Sequence, residues 1–198
     1  LLMFEGCFIG FGWGVFDVAV PAFATQEGVA HRVAWIFAAF GTATVIGGLL
    51  GGLVSKKMAP LSALRRAYFL WGVACIPIAF TYPDWTMALV GASIGFLGGA
   101  VQVFYFEVLE AVRPKGSQTA SLGWIWSVEG SFMAVGAAVG GVVSEAFSPR
   151  IGLAMLPIMI GIGLIILSIG RGRLSAANDI PTEEEDLRAI KDISNEVK

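Results

Sequence analysis

Six stretches of this chain are apolar over enough residues to cross the roughly 30 Å hydrocarbon core of a bilayer as helices of about 20 residues. They lie near residues 2–24, 33–54, 67–82, 85–112, 120–147 and 151–170, with short polar connectors at 25–32, 55–66, 83–84, 113–119 and 148–150. The third stretch is short, and Arg65 and Arg66 blur its start. This pattern predicts an all-α membrane protein with six transmembrane helices.

A glycine-rich segment recurs inside two of these stretches. Residues 41–55 align without gaps on residues 130–144, an offset of 89, with six of fifteen positions identical. The same offset pairs Gly6 with Gly95 and Gly10 with Gly99 in the preceding helices. The copies lie in the second and fifth stretches, three apart in order, so the second runs through the bilayer in the opposite direction. An inverted three-plus-three repeat, with units 1–82 and 85–170, is therefore expected; such repeats mark many secondary transporters. Lipid tails give helices no hydrophobic reason to associate, so close approach needs small residues. Gly10 and Gly14, Gly47 and Gly51, Gly95 and Gly99, and Gly136 and Gly140 each lie one turn apart on a helix face and are candidate packing positions. They can be static seams or the sliding contacts of a moving helix pair.

Composition agrees with the bilayer reading: 56% of residues are hydrophobic, 14% are charged, and the mean hydropathy is +0.76. Seven of the fifteen acids follow position 178, so the net charge of −2 belongs mostly to the tail and implies no nucleic-acid partner. Cys7 and Cys75 lie in apolar runs without metal-ligand spacing and read as small core residues. The first stretch has no basic leader and continues for a full span, as a membrane helix does and a cleaved signal does not. The chain starts at Leu1 and not at Met, so a piece of a longer protein is expected.

Lysine and arginine set the expected orientation. Lys56, Lys57, Arg65, Arg66, Arg113, Lys115, Arg171 and Arg173 fall on one side, against Arg32 and Arg150 on the other. Both ends should face the cytoplasm, in a multi-pass protein of the plasma membrane. Trp35, Tyr82 and Trp85 sit at the opposite boundary as interfacial aromatics should.

These residues resemble a family. Gly10-Phe11-Gly12-Trp13-Gly14-Val15-Phe16-Asp17 leading to Pro21-Ala22-Phe23-Ala24, the glycine-rich second span, and Val112-Arg113-Pro114-Lys115-Gly116 look like the C-terminal six-helix half of a major facilitator superfamily transporter, closest to bacterial exporters. The resemblance covers about residues 1–172. In the family, the first and fourth helices of each half line a central cavity and the third and sixth are peripheral. The loop after the second span departs from the family's Gly-x-x-x-Asp-Arg pattern: Gly51 and Lys56 fit, but Ser55 replaces the acid.

Ionisable residues at membrane depth are costly and are functional candidates. Glu129 lies roughly 14 Å from the start of its helix, near the midplane, on a face with Trp126, Met133, Gly136 and Gly140. It can exchange a proton, pair with a cationic substrate, or serve as a structural acid bonded to a neighbouring helix. Asp17, on a face with Gly10, Gly14 and Pro21, is either a ligand or a polar plug. Gln102 offers a donor and an acceptor to a substrate or to another helix. Trp13, Tyr105 and Trp126 can stack on a substrate or pack against lipid and core. Glu107, Glu110, Lys56, Lys57 and Arg113 form a candidate cytoplasmic gate. Glu5 is placed at the cytoplasmic mouth, and His31 in a solvated outer loop.

Residues 173–198 read as an acidic cytoplasmic tail. Thr182 and Glu185 have capping-box spacing before a short amphipathic helix carrying Leu187, Ile190, Ile193 and Val197. No nucleotide-binding loop, metal cluster or nucleophile–base arrangement occurs, so no cofactor, metal or enzymatic activity is expected. The expected function is secondary active transport, proton-coupled efflux of a small organic molecule by alternating access. Its partners are the bilayer, the substrate, and a missing N-terminal six-helix half or a second copy. The alternatives are a sugar or metabolite uptake carrier and a non-transporting six-helix scaffold or truncated product.

Overall fold

Among the described residues six α-helices carry the chain, and their packing brings the polar residues together. The computed structural model describes residues 1–55, 59–172 and 174. The helices are α1 (Leu2–Gln26), α2 (Val33–Ser55), α3 (Pro60–Cys75), α4 (Trp85–Val112), α5 (Gln118–Ala146) and α6 (Pro149–Ile169), with short 3₁₀ turns at Ala30–Arg32, Ile76–Phe80 and Gly170–Gly172. Each helix, counting the flanking 3₁₀ turns, is long and apolar enough to cross a membrane, and the described residues contain no strand. The chain is a multi-pass, all-α membrane protein.

The helix ends follow local chemistry. Asp84 caps α4, its carboxylate accepting the Thr86 backbone N–H at 2.7 Å. Ser148 caps α6 in the same way through the Arg150 N–H, with Pro149 in the first turn. Pro114 excludes helical geometry at Arg113, which is extended and ends α4.

The third span corrects the expected boundary. It begins at Pro60 rather than near residue 67, so Arg65 and Arg66 lie inside α3 and not in a connector. Pro60 suits a first helical turn, where a missing N–H costs nothing. Ala63, Leu64, Ala67, Tyr68, Trp71 and Cys75 then form one buried stripe. Apolar run length misses this start because the two arginines dilute it, although the stripe is already helical.

Contacts fix the helix directions. Trp13 packs on Phe40 and Phe16 on Phe37, so α1 and α2 are antiparallel. Gly12 meets Met159 while Gly152 meets Ala19, which sets α6 antiparallel to α1. The most extensive contacts join α1 with α5 and α2 with α4, each pair running parallel.

Glycine makes both parallel pairs possible. A side chain on Gly47 would fall on the Phe96 carbonyl, and one on Gly51 would come within 2.9 Å of the Ala100 Cα. Gly95 and Gly99 of α4 face the Phe40 and Thr44 carbonyls of α2. In the other pair, Gly136 faces the Phe11 carbonyl, and a side chain on Gly140 would come within 2.9 Å of the Val15 Cα. Gly10 and Gly14 of α1 face the carbonyls of Glu129 and Met133. Backbone therefore lies on backbone along both seams.

The two quartets correspond, but not at one offset. Gly47 matches Gly136 and Gly51 matches Gly140 at 89, whereas Gly10 matches Gly95 and Gly14 matches Gly99 at 85. The expected pairings of Gly6 with Gly95 and Gly10 with Gly99 are thus one turn out of place. Gly6 has no neighbour within 4 Å where a side chain would project. A four-residue difference is close to one helical turn, so it leaves the packing face unchanged. Gly51 and Gly140 each lie in the second half of their helices, and α2 and α5 run oppositely, so the two occupy opposite halves of the bundle.

Candidate functional site

A single stripe on α1 begins the site. Glu5, Ile9, Trp13 and Asp17 recur every four residues and all line a cavity of about 300 Å³. Helix α4 adds Gly95, Gly98, Val101, Gln102, Tyr105 and Phe106, and α5 adds Ile125, Trp126, Glu129 and Met133. Helix α2 closes one wall with Phe40 and Thr44. The five residues singled out for a substrate or proton pathway, Glu129, Asp17, Gln102, Trp126 and Trp13, therefore line one space. Asp17, Gln102 and Trp126 are exposed, while Glu129 and Trp13 are partly buried.

Two placements differ from expectation. Glu5 does not sit at a solvated mouth: it is 1% exposed, and the Tyr68 hydroxyl donates a hydrogen bond to its Oε1. Helices α3 and α6 cover it, and a count of residues from the helix start cannot see that cover. The third span is also not purely peripheral, because Tyr68 and Trp71 reach the cavity. The Trp71 indole N–H donates to the Ile94 carbonyl at 3.1 Å and fixes that wall. Helix α6 contributes no lining residue. The signal for Tyr68 and Trp71 was the buried α3 stripe, which hides behind Arg65 and Arg66.

Among the described residues the lining carries three carboxyls, on Glu5, Asp17 and Glu129, and no Lys, Arg or His. Seven aromatic side chains share it: Trp13, Phe40, Tyr68, Trp71, Tyr105, Phe106 and Trp126. Trp13 packs among Phe16, Phe40 and Trp71, whereas Trp126 has a ring contact with Phe106. Such a surface attracts cations through charge and through aromatic faces. Among the described residues no group of three or more His, Cys, Asp and Glu is placed to hold a metal.

Of the residues assigned to a gate, Glu107, Glu110 and Arg113 lie outside the cavity lining. Glu110 pairs with Arg113 at the end of α4, where the Arg113 side chain is 1% exposed. Glu107, one turn earlier, has a buried Oε2 without a hydrogen-bond partner among the described residues. Lys56 and Lys57 lie outside the described residues, as does the expected tail helix.

Over 157 residues the chain is 24% identical to the multidrug efflux pump Tap of Mycolicibacterium fortuitum. That match covers 77% of this chain and 36% of Tap, so the chain spans about a third of the relative's length. No solved structure matches it. The family model of the Major Facilitator Superfamily matches residues 2–197. With six membrane helices and a family match over nearly its whole length, the chain belongs to the major facilitator superfamily.

Proposed function

We propose that this chain is the C-terminal six-helix half of a secondary active transporter that exports a small organic cation in exchange for protons. The observation that carries this reading is the cavity: carboxyls from α1 and α5, an amide from α4 and seven rings meet in one space, with no basic residue among the described lining residues. Polar groups at membrane depth need partners, and a second six-helix half or a second copy packed over Asp17, Gln102 and Trp126 would provide them. The similarity to Tap, a multidrug efflux pump, supports the direction of transport.

In this reading the glycine seams let α1 with α5 and α2 with α4 move as pairs during alternating access, and the Glu110–Arg113 pair belongs to the cytoplasmic gate. The excess of eight basic residues over two supports a reading with both ends of the segment on the cytoplasmic side of the plasma membrane.

The test is a vesicle assay of the full-length gene product with tetraphenylphosphonium as the probe cation. Uptake into inverted vesicles should require an inward-acid proton gradient and stop when it is collapsed. Uptake indifferent to the gradient, or transport of a neutral sugar instead, would reject proton-coupled cation export.

A further inference from the structure

The cavity contains an acid that direct contact with a cargo does not explain. Glu5 is 1% exposed, whereas Asp17 is exposed and Glu129 partly so. The Tyr68 hydroxyl donates to Glu5 Oε1, and the Tyr105 hydroxyl, in the same lining, donates to the Leu2 carbonyl at 3.4 Å. Gly163 of α6 packs beside Glu5, Ile9 and Tyr68. Among the described residues, the titratable groups around Glu5 are Tyr68 from α3, Tyr105 from α4 and Glu129 from α5, with Cys7 nearby on its own helix. None of these is a base that would balance a carboxylate. A buried charge without a countercharge is strongly disfavoured, and an organic cation is too large to reach a side chain so enclosed. A proton is not.

We propose that Glu5, positioned by Tyr68, is a second proton-holding site behind the cargo cavity, and that its proton is exchanged with Glu129. The transfer balances without another reactant: the Glu5 O–H bond breaks as a Glu129 O–H bond forms, directly or through an intervening water, and cargo leaving Glu129 frees that carboxylate to accept. Glu129 thus meets both the cargo and the relay, whereas Glu5 meets only the relay. This inference rests on the proposed proton coupling.

The experiment compares E5Q, E129Q and Y68F with the unaltered full-length protein in lipid vesicles. Tetraphenylphosphonium binding, gradient-driven uptake and the infrared carbonyl band of protonated carboxyls are followed against pH. E5Q should lose gradient-driven uptake and one titrating carbonyl band, with a smaller loss of cation affinity than E129Q. E129Q should lose both affinity and drive. Y68F, which keeps the acid but not its donor, should shift the pH midpoint of uptake and the position of the Glu5 band. Gradient-driven uptake in E5Q, or a loss of cation affinity in it as large as in E129Q, overturns the relay. If E5Q does not insert, an unshifted band and midpoint in Y68F overturn it instead. If the unaltered protein shows no proton drive, the proposed function fails, and the Glu5 band still reports separately whether this acid titrates.

Discussion

Gly10 of α1 faces the backbone carbonyl of Glu129 on α5, so closely that a methyl group on Gly10 would occupy the carbonyl's place. The seam that joins the two helices therefore also sets the depth of the acid. Packing and chemistry share one contact, because Gly14 repeats the arrangement one turn on, against the carbonyl of Met133.

Alanine at a seam glycine should force two backbones apart. Gly14→Ala and Gly47→Ala are expected to destabilise the protein by about 1–3 kcal/mol, the usual range for overpacking. Gly41 and Gly130 have nothing within 4 Å where a side chain would project, so alanine there should be neutral or mildly stabilising. Thermal unfolding of the four variants in detergent checks this. Equal losses in all four would show that the seams are not set by steric approach.

Gly41 and Gly130 also show how much of the fold was legible in the sequence. They head the two aligned copies, yet neither touches a neighbouring helix at its side-chain position. Sequence identity at an aligned position therefore does not by itself mark a packing contact. The glycines that pack in α1 and α4 differ by 85 positions and those in α2 and α5 by 89, because a helical face repeats about every turn and either register keeps glycine on it. The cavity stripe of Trp13, Asp17, Gln102, Trp126 and Glu129 was legible because polar groups stand out against apolar runs. Glu5 was misplaced because its burial comes from α3 and α6, distant in sequence, and no local pattern carries that information.

The two candidate tryptophans should separate by role. Trp13 packs against Phe16, Phe40 and Trp71, so Trp13→Ala is expected to cost about 3 kcal/mol, as truncation of core aromatics does. Trp126 is 53% exposed and offers its face to the cavity. Trp126→Ala should leave unfolding temperature nearly unchanged and weaken tetraphenylphosphonium binding through the lost cation–aromatic contact. Unchanged binding in Trp126→Ala would assign this ring to packing against the other half.

Asp84 gives a pH-dependent test outside the membrane helices. Thr86 donates to its carboxylate from both hydroxyl and backbone N–H, each at 2.7 Å, and these bonds hold its carboxyl below the ordinary range. A carboxyl with a lowered folded-state pKa stabilises the fold above its unfolded value of about 4. That contribution disappears as pH falls through the folded value. Unfolding temperature should therefore fall more steeply between about pH 5 and pH 2 in the unaltered protein than in Asp84→Ala. Parallel curves would show that the cap contributes no proton linkage.

Glu129 carries the sharpest chemical prediction. Glu129→Gln keeps the size of the side chain and its hydrogen-bonding capacity but removes the proton and the charge. Insertion and yield should stay near normal, because the Gly10 contact is made by the Glu129 backbone and not by its carboxyl. Gradient-driven transport should fail. Cargo exchange at equal pH on both sides should survive, though at higher cargo concentration, because such exchange needs no net proton movement. A structural acid predicts a different pair of results: glutamine would be tolerated in both assays, and leucine would lower the yield. Full gradient-driven transport in Glu129→Gln would remove the coupling role from this residue and leave Asp17, which lines the same cavity, as the next acid to test.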